Sequence, residues 1–255
     1  MNRIPTPLPR AFSIGIIAGA WHTAREMWTD TELRTTMLEL APPGVACSVH
    51  PTGRDQATSL WPGELSAAGS MSEKRLREFS AGRYCAREAL ADLGLEPVAL
   101  PVGPGRAPVW PAGIVGSISH TDDVAIAVVA RQAALRALGI DVESSDPLGA
   151  DLLPLVCRDE ERMALRTTGP QILDGAKLIF SAKESIYKCL WPLTGTFLEF
   201  HALGIRVDPI LQRFTAYSQD LHIAETLRLI RGAYRSVGGL LLSCAWLDRA
   251  DQRMN

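Results

Sequence analysis

No two cysteines in this chain form a C-x-x-C pair: Cys47, Cys85, Cys157, Cys189 and Cys244 are scattered and odd in number. That spacing argues against a disulfide framework or a zinc site and fits buried thiols in a reducing cytosol. Nor is there an excess of positive charge. Lysine and arginine number 26 against 28 aspartates and glutamates, a net charge of −2, so no whole-molecule basic field draws in nucleic acid. Long apolar runs are missing too. The most apolar early stretch, Phe12 to Trp21, is ten residues long, where a membrane-spanning helix needs about 20. It lacks the basic start and small-residue cleavage site of an export signal, so neither anchor nor leader is expected. The absence of a G-x-x-x-x-G-K-[ST] loop sets aside P-loop phosphotransferases, and the absence of repeats or heptads sets aside repeat folds and coiled coils.

What is present is the mix of a folded globular chain, 47% hydrophobic and 21% charged over 255 residues, enough for one large domain or two small ones. Residues 1–70 are rich in Pro and Gly, with apolar runs at Ser13–Ala20 and Gly44–Ser48 that read as short strands among loops. Glu73–Gly94 reads as a helix: Ser72 can cap it, Gly94 and Pro97 stop it, and Leu76, Phe79, Ala86, Leu90 and Leu93 share one stripe. Strands are expected at Gly116–His120, Val124–Ala130 and Leu138–Glu143, then helices at Asp159–Arg166 and Leu173–Leu190, the second ended by Pro192. Further strands fall near Leu203–Val207 and Gly239–Trp246. Helices and strands mix without a strict βαβ rhythm, which predicts an α+β fold. The Pro/Gly segment around 101–113 divides it into a first unit, 1–112, and a second, 113–255.

Asp141 and Glu143 stand two apart on a strand, so both side chains leave one face. Hard oxygen donors on one face suit Mg²⁺, and the same pattern also serves as the solvated side of an amphipathic strand. Glu184 and Lys188 lie four apart on a helix, opposite Ile179, Ala182, Ile186 and Leu190. They form either a surface ion pair or part of a site with the strand acids. Arg83 falls inside the apolar stripe of its helix, with Arg75 just over two turns earlier. A buried arginine needs an anionic partner, either an internal carboxylate or a phosphate that fits its fork. Arg106 sits in a tight turn, and Gly116-Ser-Ile-Ser-His120 adds hydroxyls and an imidazole. Cations in one half and carboxylates in the other fit a ligand bearing several phosphates, with Mg²⁺ between.

Gly139-Ile-Asp-Val-Glu143, followed by Phe180-Ser-Ala-Lys-Glu-Ser-Ile-Tyr-Lys188, resembles the signature pair of the 4′-phosphopantetheinyl transferases, Sfp-like branch, enterobactin-synthetase-component type. Arg77-Glu-Phe-Ser-Ala-Gly-Arg-Tyr-Cys-Ala-Arg87, Arg106-Ala-Pro-Val-Trp-Pro111 and Gly116–His120 resemble that type in the same order. The resemblance implies two pseudo-twofold-related α/β subdomains in one chain with the active site in the cleft between them. It implies transfer of the 4′-phosphopantetheine arm of coenzyme A to a serine of an acyl or peptidyl carrier protein, releasing adenosine 3′,5′-bisphosphate. By the same resemblance Asp141, Glu143 and Glu184 hold Mg²⁺ or Mn²⁺, with a water filling the position that Val142 cannot. Glu184 is the base for the carrier serine, directly or through a water on the metal, and Lys188 assists the leaving phosphate. Arg75, Arg83, Arg106, Ser119, His120, Lys183 and Lys188 match positions that contact coenzyme A. The implied carriers belong to siderophore (non-ribosomal peptide) or polyketide synthases, and the implied protein is a cytoplasmic monomer engaging neither nucleic acid nor membrane. The contrasting reading is a non-catalytic module binding coenzyme A or a carrier, although no metal carboxylate or cleft lysine is replaced.

Overall fold

The computed structural model describes residues 28–53, 60–167 and 175–249. A capping box between Thr29 and Glu32 starts α1 (Asp30–Leu40), whose Leu33, Met37 and Leu40 turn inward. After β1 (Val45–Pro51) and the short α2 (Pro62–Ala68), the Ser72 hydroxyl accepts the Arg75 N–H and opens α3 (Glu73–Asp92). Beneath α3 lies an antiparallel sheet of order β1-β3-β2, with β2 at Ile114–His120 and β3 at Val124–Arg131. Strand β3 is buried on both faces. Ala125, Ala127 and Val129 pack under α3, while Val124, Ile126, Val128 and Ala130 enter a core shared with the rest of the chain. Hence the unbroken apolar run, where a half-exposed strand would alternate.

The second lobe begins with β4 (Leu135–Ser144), then α4 (Leu153–Val156), α5 (Asp159–Thr167) and α6 (Gly175–Thr194). Strands β5 (Gly204–Asp208) and β6 (Arg213–Tyr217), helix α7 (Leu221–Leu229), and strands β7 (Ile230–Val237) and β8 (Leu240–Asp248) complete it. Its sheet has the order β4-β8-β7-β6-β5, all antiparallel. Each lobe therefore lays a twenty-residue helix on an antiparallel sheet, which makes the fold α+β. Leu138, Ile140 and Val142 of β4 point into the shared core. Gly139, Asp141 and Glu143 alternate with them and so face α6.

Two free strand edges meet at the lobe boundary. The Ser117 hydroxyl accepts the Ile140 N–H at 3.0 Å and the Ser119 hydroxyl accepts the Val142 N–H at 3.2 Å. Side chains of β2 thus satisfy donors that the exposed edge of β4 would leave unpaired.

Several expectations change. Strands β2 and β3 join β1 in the first sheet, and the chain passes to the second sheet across 132–134. Pro111 and Gly113 build the turn into β2, closed by the Ile114 N–H on the Pro111 carbonyl, and do not form a linker. Helices α1 and α2 occupy a region read as strands and loops, and β6, α7 and β7 were not anticipated. Pro192 sits inside the end of α6, which runs on to Thr194. The expected strand at Ser13–Ala20 and the first residues of the helix expected from Leu173 lie outside the described residues. All five cysteines are buried and unbridged. Among the described residues, no helix is long and apolar enough to cross a membrane.

Candidate active site

Helix α6 rests directly on β4 at Gly139, where a Cβ would lie 2.1 Å from the Ser185 carbonyl oxygen and 2.5 Å from the Cys189 nitrogen. That backbone approach brings Glu184 and Lys188, one helical turn apart, over Asp141. The Lys188 ammonium is 2.7 Å from Asp141 Oδ1 and 3.1 Å from Ser119 Oγ. Ser119 donates to the same Asp141 oxygen at 2.9 Å and accepts from Lys188 and the Val142 N–H, which uses its one proton and both lone pairs. Glu143, two residues along, meets Lys177 of α6 at 3.3 Å. Asp141 is buried, and its second oxygen, Oδ2, has no hydrogen-bond partner among the described residues.

The crowding shows in the titration of these groups. Burial pushes Glu143 up to about 7, the charge of Asp141 adds to the push, and Lys177 opposes it. Burial also raises Glu184; Lys188 opposes that shift and Asp141 adds to it. For Lys188 burial works downward, but Asp141, Glu184 and Glu143 outweigh it and hold the ammonium charged. Among the described residues, no group of three or more His, Cys, Asp or Glu is drawn together as a metal cluster. Lys177 and Lys188 pair with two of the three acids, Glu143 and Asp141. The donor chemistry nevertheless fits a divalent cation: hard oxygens on facing elements, repelling one another around a buried carboxylate oxygen with no partner.

From the first lobe, His120, with Arg75 behind it, adjoins this cluster. Arg75 Nη1 donates to His120 Nε2 at 2.5 Å and to Glu78 Oε2 at 3.3 Å. Burial, then the charges of Arg75, Lys188 and Lys74, push His120 down to about 3, so its imidazole is neutral and accepts from Arg75. Arg83 is buried, stacks over Phe79 at 4.5 Å, and donates through Nε to the Leu100 carbonyl at 2.8 Å. It makes no ion pair among the described residues, and burial pulls its guanidinium down to about 10. Arg87, one turn on, behaves differently. It pairs at 2.8 Å with the fully buried Glu64, which also accepts the Trp61 and Leu100 N–H groups. Arg106 is exposed and holds a left-handed φ of +63° in the turn Pro104–Arg106. That turn seats Gly105 on Trp191 of α6, where a Cβ would come within 2.2 Å of the ring.

A pH effect follows from His120. Between about pH 6.5 and 3 the unfolded chain takes up a proton that the folded imidazole refuses, so stability falls as pH falls through that window. His120→Gln is expected to flatten this part of the stability curve. Urea midpoints at pH 4.5 and 7.5 check it; an unchanged difference between them would mean that other groups carry the effect.

Residues 64–130 match the 4′-phosphopantetheinyl transferase N-terminal domain, and residues 137–233 match the 4′-phosphopantetheinyl transferase superfamily. Over 164 residues the chain is 42% identical to 4′-phosphopantetheinyl transferase Svp of Streptomyces mobaraensis, covering 64% of this chain and 67% of that protein. The chain belongs to the 4′-phosphopantetheinyl transferase family. It is also 44% identical to 4′-phosphopantetheinyl transferase Npt of Nocardia iowensis over 58% of this chain and 66% of that protein. With enterobactin synthase component D of Salmonella typhi the identity is 37%, over 51% of this chain and 54% of the relative. The matched stretches thus span between about half and two thirds of these relatives. A holo-(acyl-carrier-protein) synthase structure from Bacillus anthracis overlaps 34% of this chain and 94% of its own at 22% identity, with a TM-score of 0.30, too loose to compare sites. The changeover at 132–134 falls between the two stretches that the phosphopantetheinyl transferase profiles match.

Within this transferase fold two of the expected coenzyme A contacts are otherwise engaged. Lys183 points away from the cleft, and its three protons go to the Val156 carbonyl at 2.8 Å, Glu161 Oε2 at 2.7 Å and the Phe200 carbonyl at 2.9 Å. No donor is left for a phosphate. Ser119 is saturated by Asp141, Lys188 and Val142, so it orients the acid. One residue of the cluster, Lys177, was not among the expected site residues. Lys177 stands seven and eleven positions before Glu184 and Lys188, on their side of α6, a spacing visible in the sequence. Ser117 repeats Ser119 two residues earlier on one strand face.

Proposed function

We propose that this transferase moves the 4′-phosphopantetheine arm of coenzyme A onto a serine of an acyl or peptidyl carrier protein. Arg75, Arg83, Arg106 and His120 bind the phosphates of coenzyme A, with Arg83 presenting a desolvated guanidinium fork. Asp141, Glu143 and Glu184 are the residues that would hold Mg²⁺ or Mn²⁺, which would neutralise the diphosphate and make its phosphorus easier to attack. Glu184, whose carboxyl is raised by burial, takes the proton of the carrier serine. The serine oxygen forms a bond to the phosphorus that carries pantetheine. The phosphoanhydride bond breaks, and adenosine 3′,5′-bisphosphate leaves with Lys188 compensating its charge.

The observation that carries this reading is Asp141. One of its oxygens is taken by Lys188 and Ser119, and the other is buried without a partner among carboxylates whose charges interact with it. The siderophore-synthase relatives support carriers of non-ribosomal peptide synthases, with polyketide carriers as the neighbouring class. Both lobes of the cleft come from one chain, which supports a monomer. Five unbridged buried thiols support a reducing, cytoplasmic setting.

Intact-mass spectrometry of an apo carrier incubated with the protein, coenzyme A and Mg²⁺ is expected to show a gain of about 340 Da, one arm transferred per serine. EDTA is expected to abolish the gain. Carriers of every class left unmodified would instead make the protein a non-catalytic binding module.

A further inference from the structure

The strongest polar anchor in the second lobe lies outside the cleft. Lys183 and Glu161 have side chains 1% and 2% exposed, and their charged atoms are 2.7 Å apart. The Lys183 ammonium reaches α5 through Glu161, the end of α4 through the Val156 carbonyl, and the 3-10 turn Phe200–Ala202 through the Phe200 carbonyl. Glu161 is tied down in turn: Oε2 also accepts the Arg158 N–H at 2.7 Å, and Oε1 accepts the Ile205 N–H of the edge strand β5 at 2.7 Å. One buried pair therefore joins α6 to four other pieces of the lobe.

Lys183 is the residue immediately before Glu184. The two side chains leave the helix about 100° apart, so whatever fixes the roll of α6 at Lys183 fixes the direction of Glu184 and, one turn on, of Lys188. The apolar contacts of α6 are non-directional and allow sliding. The polar ones do not. A second directional tie lies two residues earlier, where Ser181 Oγ is 2.8 Å from Ser243 Oγ of β8, and Ser243 sits opposite Asp141 in the strand register.

We infer that Lys183 and Glu161 are a positioning pair for the transfer reaction, a buried strut that sets the roll and depth of α6 so that Glu184 and Lys188 meet Asp141. The inference rests on the phosphopantetheinyl-transfer reading and assigns Lys183 no contact with coenzyme A. A buried ion pair is a weak source of net stability, since apolar replacements of similar size are often tolerated, whereas one partner left alone is costly. Stability and positioning can therefore be separated by experiment.

The full chain is compared as wild type, Lys183→Met, and the double variant Lys183→Met/Glu161→Gln, with coenzyme A, Mg²⁺ and an apo carrier. Lys183→Met, which strands a buried carboxylate, is expected to lower the melting temperature sharply. The double variant is expected to recover most of that loss while kcat stays down by about ten- to a hundredfold, the scale of a misplacement near 1 Å, with KM for coenzyme A within about twofold. Recovery of kcat together with melting temperature would reduce the pair to scaffolding and overturn the inference. A tenfold rise in KM for coenzyme A at unchanged kcat would overturn it in favour of a phosphate contact. Should the double variant not fold, the Lys183 ¹⁵Nζ resonance of the wild type decides while adenosine 3′,5′-bisphosphate is titrated in. An unmoved signal supports the strut, and a shifted one overturns it. Absence of transfer by the wild type would sink the parent reading alone, because the resonance test needs no turnover.

Discussion

Asp141→Asn is expected to slow phosphopantetheine transfer by about a hundred- to a thousandfold, the scale seen when one preorganised electrostatic partner is lost from a phosphoryl- or acyl-transfer site. The amide keeps the shape of the side chain and an oxygen for the Ser119 hydroxyl, so the hydrogen bond at 2.9 Å can survive. What disappears is the charge facing Lys188 at 2.7 Å and the unpartnered buried oxygen that suits a divalent cation. Stability should change little by comparison, because the Lys188 side chain is 26% exposed and water can take over part of its solvation. Steady-state rates over a range of Mg²⁺ concentrations, set beside a thermal melt, test the claim. An Asn variant that works within a few-fold of the wild type would remove Asp141 from the chemistry.

Gly139→Ala should do more damage to the fold than any other single methyl group in the second lobe. The added carbon would meet the Ser185 carbonyl oxygen at 2.1 Å and the Cys189 nitrogen at 2.5 Å, and both belong to helix backbone with no flexible end to move aside. Relief requires α6 to lift from β4, which carries Glu184 and Lys188 away from Asp141 and loosens the apolar contacts of Ile186, Cys189 and Leu190. Overpacking of this kind costs roughly 3 kcal/mol or more, a drop of about 6–12 °C in melting temperature for a chain of this size. Differential scanning calorimetry reads the loss directly. A variant that melts within a degree or two of the parent would mean that helix and strand can separate at this point without cost.

Much of this arrangement is legible in the residues alone, because the signals are local. The alternation Leu138, Ile140, Val142 against Gly139, Asp141, Glu143 assigns each side chain of β4 to its face before any partner is known. Ser72 starts α3 and the Glu184–Lys188 spacing sets one face of α6 for the same reason. What stays hidden depends on contacts between distant parts of the chain. Arg83 and Arg87 look alike on their helix, and only the position of Glu64, nineteen residues before Arg83, separates a buried ion pair from an unpaired guanidinium. Lys183 adjoins Glu184 and shares its motif, yet its acceptors at Val156, Glu161 and Phe200 lie on elements whose placement no spacing rule supplies. The point where the chain passes between sheets is hidden for a different reason. A run of prolines and glycines marks a change of direction equally well inside a lobe and between lobes. At Thr29 and Glu32 the capping-box signal was present, but the Pro- and Gly-rich surroundings pointed to loop.

The seam where Ser117 and Ser119 cap the amides of Ile140 and Val142 also bears on dividing the protein. Cut between Arg131 and Leu135, each half would expose a raw rim, one with hydroxyls and no amides to receive, the other with amides and no hydroxyls. Such a rim recruits the next molecule, so the separated halves should clump when produced alone and stay dispersed when produced together.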